Sequence, residues 1–146
     1  MLIATWNVNS IRTRLSQIID WINKANPDIL CLQETKVIDD SFPIEPFEKL
    51  GYSVEIYGQK SYNGVAIISK IKPENVEKGF YGCNDSNQNI EIFLDQKRLI
   101  SAEINGIKII NVVTTNKRVN RKLLNKKNVV GKSIIQPKIN CKIINV

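Results

Sequence analysis

The pattern of apolar and polar positions at the front of the chain predicts a strand, a helix and a second strand. Leu2 to Trp6 is a short, mainly apolar run, and Ile29 to Leu32 is a second one. Between them, apolar residues recur at the spacing of one helical face, namely at Ile11, Leu15, Ile18, Ile19 and Ile22. This order within about thirty residues is typical of a right-handed βαβ unit, so we expect the two strands to be parallel.

Polar residues bound the predicted helix and follow both strands. Ser10, with Asn9 beside it, is expected to cap the start of the helix, and the Asn-Pro-Asp sequence at 26–28 is expected to end it. Asn7 and Glu34 lie just beyond the two strands. Because parallel strands end at the same edge of a sheet, these two side chains should lie together, at the edge where open α/β sheets bind ligands.

The middle of the chain changes to shorter runs that predict antiparallel hairpins. The predicted strands are Tyr52 to Tyr57, Val65 to Ser69, one near Val76 to Gly79, Leu99 to Ile104, and Ile107 to Val113. The Asn105-Gly106 pair between the last two is the strongest short hairpin signal. Antiparallel strands after a βαβ start indicate the α/β (α+β) class, with a mixed sheet covered by helices on one face.

Charge divides the chain into two unlike parts. All 14 acidic residues lie in 1–103 beside 11 basic ones, whereas 104–146 holds 10 basic residues and no acidic one, for a net charge of +7 overall. A basic surface usually favours nucleic acid as a partner. We expect a partial domain over residues 1–113 and an unrelated, poorly packed basic tail over 114–146.

The composition of the tail allows two interpretations. From Lys117 to Val146, 17 of 30 residues are Lys, Asn or Ile, which AT-rich codons encode. One hypothesis is that the tail is out-of-frame or non-coding sequence read through after a lesion. The alternative is an exposed basic helix from Val119 to Val130, in which Leu123 and Leu124 are the only large apolar residues inside.

Several function classes are excluded or disfavoured by residues the chain lacks. The sequence contains no histidine, which excludes His-based zinc sites, His general bases and Ser-His or Cys-His dyads. Cys31, Cys83 and Cys141 lack metal-ligand spacing and are expected to be thiols in a reducing cytoplasm. No segment resembles a signal peptide, and no apolar run approaches the roughly 18 residues of a membrane span, so no membrane partner is expected.

Asn7 and Glu34 are the candidate ligands of a hard cation. Magnesium prefers oxygen donors, takes few of them from protein, and keeps waters and substrate phosphates for the rest. From the residues alone a plainer alternative stays open, in which Glu34 is a solvated loop residue and Asn7 caps a turn.

Longer motifs resemble a known family. WNVNSIRTR, PDILCLQETK and GYSVEIYGQKSYNGVAIISK are similar to the exonuclease III branch of the endonuclease/exonuclease/phosphatase family, and shorter matches reach roughly residue 113. The resemblance implies the N-terminal half of a four-layer α/β sandwich with two packed sheets. It also implies a Mg²⁺-dependent phosphodiesterase of DNA repair, for which Mn²⁺ can substitute. Such enzymes bind DNA, cut beside abasic sites and trim 3′ ends.

The resemblance also assigns roles to single residues. Glu34 is similar to the principal metal-binding carboxylate of the family, and Asn7 would order the metal and the scissile phosphate beside it. Asn9 occupies a position near the metal and the DNA that is Asp in some members. Three further residues fall in loops that would meet the DNA backbone: Arg12, Lys60 and Tyr62. The alternatives are solvated charges at Arg12 and Lys60, and an aromatic ring packed on the sheet edge at Tyr62. Gln33 and Lys36 would support the Glu34 loop.

Departures from the family pattern concern the reacting groups. Val113 stands where the family carries a Tyr that contacts the phosphate, and the Gly-Asp-x-Asn and Ser-Asp-His segments are absent. No catalytic set is therefore complete, and we expect an inactive chain unless a complementary C-terminal fragment supplies the rest. The alternative function is a non-catalytic remnant that binds nucleic acid weakly through its tail. Half a sandwich should also expose an apolar sheet face.

Overall fold

The computed structural model describes residues 1–79, 96–113, 129–130, 133–135 and 142–146. The helices are α1 (Ile11–Ala25) and the short α2 (Glu45–Glu48), with a 3₁₀ turn at Asp39–Ser41. The strands are β1 (Leu2–Asn7), β2 (Ile29–Gln33), β3 (Ser53–Tyr57), β4 (Val65–Ser69), β5 (Glu74–Lys78), β6 (Leu99–Ile104), β7 (Ile107–Val112), β8 (Val129–Val130), β9 (Ser133–Ile135) and β10 (Lys142–Asn145). Within these residues the strands form a first sheet, β10-β1-β2-β4-β3, and a second sheet, β5-β6-β7-β9-β8.

The predicted βαβ unit is confirmed. Strands β1 and β2 pair in parallel, with Asn7 opposite Gln33. Helix α1 crosses between them and buries Ile11, Ile18 and Ile22, which belong to the predicted apolar face. Asn7, the last residue of β1, and Glu34, which follows β2, therefore lie at one edge of the first sheet.

The start of α1 is stabilised differently from the prediction. Ser10 occupies the N-cap position, but its side chain makes no capping hydrogen bond. Instead, the backbone N–H of Ser10 donates to the carbonyl of Glu34 at 2.8 Å, and that of Ile11 donates to the carbonyl of Thr35 at 3.0 Å. These bonds satisfy orphan donors of the first turn and attach the helix to the loop after β2. The predicted end is confirmed, since Asn26 is left-handed and its N–H donates to Ile22.

Both predicted hairpins form, but they belong to different sheets. Strands β3 and β4 pair antiparallel in the first sheet, and β6 and β7 do so in the second. Asn105 and Gly106 have φ of 51° and 72°, as a two-residue type I′ turn requires. The predicted mixed sheet with helices on one face is the first sheet, and β5, β6 and β7 form a second sheet that packs on its other face, as the predicted sandwich of two sheets requires.

Burial explains why two sheets are needed. All five residues of β2 and all five of β4 are buried, the pattern of strands that are covered on both faces. One face packs against the helices. The other forms a core with the second sheet, made of Ile3, Ile29, Cys31, Tyr57, Val65, Ile67, Ile100, Ala102, Ile104, Ile107, Ile109 and Val113. The expected exposed apolar face is therefore not found here: Ile3, Ile29 and Ile67 are 0% exposed.

A buried amide connects the two sheets. The side chain of Asn111, on β7, donates to the carbonyls of Leu32 and Ala66, each at 2.8 Å. Its oxygen accepts from Nε2 of Gln33 at 2.8 Å, and Gln33 also donates to the hydroxyl of Thr5 at 2.9 Å. Because polar groups are costly to bury unpaired, this network fixes how β7 sits on β2 and β4.

Parts of the predicted tail join the sheets. Strand β10 pairs in parallel with β1, the N–H of Val146 donates to Thr5 at 3.0 Å, and Ile144 packs against the helix-side core. The open edge of β1 accepts this strand through backbone hydrogen bonds. The predicted poor packing of the tail as a whole stays a prediction, because most of residues 114–146 lie outside the described ranges. Val129–Val130 form a strand and not the end of a helix. Cys83, Cys141 and most of the tail lie outside the described residues.

Within the described ranges, no helix combines the length and the apolar character needed to cross a membrane.

We predict that Asn111→Ala lowers the free energy of unfolding by about 2–4 kcal/mol, because it leaves two buried carbonyls and one amide without their partner. Urea unfolding followed by circular dichroism measures the change. Asn23→Ala, on the exposed side of α1, is the control and should stay within about 0.5 kcal/mol of the original chain. Equal effects of the two substitutions would contradict the bridging role of Asn111.

Asp28 should make the stability depend on pH. Its carboxylate accepts from the N–H of Leu2 at 2.7 Å and lies 3.3 Å from Nζ of Lys70. The hydrogen bond from Leu2 lowers the pKa of Asp28 from its ordinary value, helped by Lys70. A lowered folded-state pKa stabilises the fold above the unfolded pKa, about 3.9, and this stabilisation is lost as the pH falls through the folded pKa.

The stability of Asp28→Asn should therefore lie below that of the original chain at pH 6–7, and the difference should shrink as the pH falls below about 4. Unfolding curves from pH 7 to pH 2 test this. Asp20→Asn, exposed on α1, serves as the control. A difference that is independent of pH would show that the Asp28 charge is not responsible.

Candidate functional site

Four loops converge beyond the carboxyl ends of β1 and β2. They comprise residues 8–10, 34–38, 58–64 and 96–98. Backbone hydrogen bonds join them in series: the N–H of Thr35 donates to Gly64 at 3.2 Å, and the N–H of Gly64 donates to Lys97 at 2.9 Å. A second link joins Lys36 to Asn63 at 3.0 Å. The loops thus form one connected rim around the end of β2.

Asn7 and Glu34 adjoin on this rim, as the topology predicted. Nδ2 of Asn7 donates to Oε1 of Glu34 at 2.7 Å. Oδ1 of Asn7 in turn accepts from the backbone N–H of Asn9 at 3.2 Å. Asn7 therefore orients the carboxylate of Glu34 and ties it to the loop after β1.

Lys36 lies on the opposite side of the same carboxylate. Its Nζ is 3.8 Å from Oε2 of Glu34, and the two side chains are 32% and 29% exposed. The same Nζ donates a hydrogen bond to Oδ1 of Asn9. An amide and an ammonium group thus face the two oxygens of Glu34.

The rim is built from an unusual concentration of left-handed backbone. The residues with positive φ that are not glycine and lie on these loops are Asn9, Ser10, Glu34, Lys36, Ser61 and Asn63. Asn tolerates this region, but Glu34 and Lys36, at 55° and 59°, pay a steric cost. Strain of this kind persists only where the surroundings hold it, and it is concentrated at functional sites.

Gly64 allows two of the loops to touch. Its φ is +82°, and a β-carbon added there would lie 2.2 Å from Oγ1 of Thr35. The positive φ favours glycine at this position, and the close approach to Thr35 is a second reason for it. Thr35 is fully buried, and among the described residues its hydroxyl has no hydrogen-bond partner.

Arg98 belongs to the site although sequence reasoning assigned it no role. Partial burial lowers the pKa of Arg98 from its ordinary value, while the negative charge of Glu34 acts in the opposite direction. Its guanidinium donates to the side chain of Gln96, and its carbonyl accepts from the N–H of Val113 at 2.8 Å. No local pattern around Arg98 indicates which loop this segment meets, so the sequence alone does not place it near Glu34.

The other predicted residues lie on the surface around this rim. Asn9, Arg12, Lys60 and Tyr62 are all exposed, and Tyr62 is 70% exposed. That exposure contradicts the alternative in which the ring of Tyr62 packs on the sheet edge. Val113 is buried between the sheets, so the family Tyr position is here part of the core.

The available donors fit part of a magnesium site. Over the described part of the chain, no group of three or more His, Cys, Asp or Glu side chains could hold a metal ion. What the rim offers is the carboxylate of Glu34 with the amide groups of Asn7 and Asn9 close by. Magnesium is often held by one or two carboxylates together with waters and substrate phosphates, so these residues suit it chemically but would supply only part of its coordination.

Known proteins are similar to this chain in sequence. The chain is 38% identical to exodeoxyribonuclease III of Haemophilus influenzae over 104 residues, which is 71% of this chain and 36% of that protein. It is 37% identical to the DNA repair nuclease APEX1 of Danio rerio over 84 residues, which is 54% of this chain and 27% of that protein.

Solved structures show the same fold. An AP endonuclease from Archaeoglobus fulgidus superposes with a TM-score of 0.67 at 46% identity, covering 77% of this chain and 41% of that one. The 3′-5′ exonuclease NExo from Neisseria meningitidis gives 0.69 at 37% identity, covering 85% and 46%. The chain thus spans less than half the length of each of these proteins. Residues 4–101 match the Endonuclease/Exonuclease/phosphatase family, and with these similarities the chain belongs to that family.

Proposed function

We propose that the chain provides the metal-binding carboxylate and the DNA-facing loops of a Mg²⁺-dependent DNA-repair phosphodiesterase of the exodeoxyribonuclease III type. We further propose that this polypeptide alone does not turn over substrate. The observation that carries the proposal is the 2.7 Å contact between Asn7 and Glu34 at the shared end of two parallel strands. This contact lies inside the region that matches the family.

Glu34 would hold the metal, which supplies charge neutralisation at a phosphate when it is bound. Asn7 keeps Oε1 of the carboxylate directed toward the rim through its own hydrogen bond. Asn9 presents its side-chain oxygen on the same side as Lys36. Mn²⁺, which takes similar oxygen ligands, would be accepted at the same place.

DNA is the proposed partner because cations surround the carboxylate. Arg12 lies in the first turn of α1, Lys60 lies on the β3–β4 loop, and Lys36 and Arg98 lie on the rim itself. Such cations contact the phosphate backbone without reading sequence. A structurally similar NExo from Neisseria has been solved bound to a product DNA hairpin.

The proposed lack of turnover rests on groups that this sequence does not contain. Phosphodiester hydrolysis needs a positioned water and stabilisation of the leaving group in addition to a metal. The chain has no histidine, and its buried Val113 cannot contact a phosphate through a hydroxyl. Such groups act as a unit, so a partial set does not give a proportionate rate. A second segment carrying them would have to complete the site.

A second candidate function is non-catalytic binding of nucleic acid. The observation that favours it is the charge of residues 104–146, which hold 10 basic residues and no acidic one. Binding of this kind depends on the number of phosphate contacts and on released counterions.

We predict that the purified chain, with Mg²⁺, cleaves a duplex that carries an abasic site no faster than a metal-free blank does, and that it does not trim 3′ ends. A labelled duplex resolved on a denaturing gel measures both reactions. Glu34→Gln is the matched control and should give the same blank rate. Metal-dependent cleavage that disappears in Glu34→Gln would overturn the proposed lack of turnover and would support the metal site.

We also predict that DNA affinity falls steeply with salt and is the same for abasic and intact duplexes, since phosphate contacts carry no sequence information. Fluorescence anisotropy between 50 and 300 mM KCl tests this. Removal of residues 117–128 should abolish binding if the tail provides it. Binding that survives this deletion but weakens in Lys60→Gln would place the contact on the β3–β4 loop.

A further inference from the structure

Every oxygen proposed to face a metal at this site already has a hydrogen-bond donor or a cationic group of the protein beside it. Oε1 of Glu34 accepts from Asn7 at 2.7 Å, and Oδ1 of Asn7 accepts from the N–H of Asn9 at 3.2 Å. The remaining two oxygens, Oε2 of Glu34 and Oδ1 of Asn9, both face the ammonium group of Lys36. A divalent cation that uses those two oxygens must therefore take the place of Lys36.

Lys36 is held in position to occupy this place. Its backbone is left-handed, with φ of 59°, which turns the chain back toward Glu34 two residues earlier. Its N–H donates to Asn63 at 3.0 Å, and its carbonyl accepts from Ser61 at 3.2 Å. These two bonds belong to the backbone, so the loop keeps its anchoring when the side chain is changed.

We propose that the ammonium group of Lys36 acts as a built-in substitute for the divalent cation and competes with it for Glu34 and Asn9. This inference rests on the proposed metal site and adds that Lys36 controls how fully the metal occupies it. An ammonium beside a carboxylate provides one positive charge without any metal, and it repels a metal ion that approaches the same oxygens. Arg98 adds positive potential, but its guanidinium is bound to Gln96.

A competing role and a supporting role of Lys36 predict changes of opposite sign in metal affinity when its side chain is removed. If Lys36 only supports the loop, its removal loosens Glu34 and weakens metal binding. If Lys36 competes with the metal, its removal strengthens metal binding. The sign of one measured change therefore separates the two roles.

The test is the binding of Mn²⁺, the probe ion, to the full chain and to four variants, measured by isothermal titration and by the loss of the free Mn²⁺ signal in electron paramagnetic resonance. Lys36→Met keeps the length and the unbranched stem but removes the charge. Lys36→Arg keeps the charge. Lys60→Met removes a lysine charge from the β3–β4 loop, and Glu34→Gln removes the proposed ligand.

We expect Lys36→Met to bind Mn²⁺ about tenfold more tightly than the original chain, because a unit charge about 4 Å away no longer opposes the metal. Lys36→Arg and Lys60→Met should bind as the original chain does, within about twofold, and Glu34→Gln should not bind. Added Mn²⁺ should also raise the melting temperature of Lys36→Met more than that of the original chain.

The other outcomes separate the two proposals. Equal or weaker binding by Lys36→Met, with binding still lost in Glu34→Gln, would overturn the competition and leave the metal site intact. Equal gains in Mn²⁺ affinity in Lys36→Met and Lys60→Met would show that the gain comes from net charge alone. That result would also overturn the competition. Unchanged binding in Glu34→Gln, or no binding by either the original chain or Lys36→Met, would overturn the metal site and the inference together.

Discussion

The buried amide of Asn111 connects the core of this protein to its site. Its three hydrogen bonds reach the backbone of β2, the backbone of β4 and the side chain of Gln33. Gln33 is the last residue of β2 and directly precedes Glu34. In the core between the sheets, such a network permits only the relative position of the sheets that satisfies all its members. The same network that sets the spacing of the sheets therefore also fixes the position of the residue that precedes Glu34.

The loop after β2 carries Glu34 and Lys36 and fixes where their side chains lie in the site. Glu34 and Lys36 are left-handed, a conformation that costs energy for residues with a β-carbon. The loop is held by hydrogen bonds to the start of α1 on one side and to the β3–β4 loop on the other. Gly64 permits the closest of these contacts. Packing and backbone hydrogen bonds together stabilise a conformation that the isolated loop would not adopt.

Charge then decides what the site can bind. The amide of Asn7 contacts the carboxylate of Glu34, the ammonium group of Lys36 lies 3.8 Å from it, and Arg98 lies within electrostatic range. This environment suits a phosphate oxygen at least as well as a metal ion, because the local excess is positive. This positive charge agrees with the proposed polyanionic partner, and under the proposed competition the metal affinity depends on whether Lys36 moves away from Glu34.

Sequence alone determined the elements whose causes are local. The spacing of Ile11, Ile18 and Ile22 predicted one buried helical face, and Asn105-Gly106 predicted a hairpin turn, because helix periodicity and turn chemistry depend on neighbouring residues. The chain direction of the βαβ unit then placed Asn7 beside Glu34. Family motifs added the expectations that the carboxylate of Glu34 binds a metal and that the partner is DNA, which no local pattern contains.

Only the tertiary structure decided the relations between distant segments. Whether β5 to β7 extend the first sheet or cover it depends on which apolar faces meet, and either arrangement satisfies the local pattern. Arg98 reaches the electrostatic range of Glu34 from 64 positions along the chain, and Asn111 reaches Gln33 from 78. The start of α1 is likewise satisfied by carbonyls after β2 and not by Ser10. These contacts follow from packing of the whole core, which short-range sequence patterns do not encode.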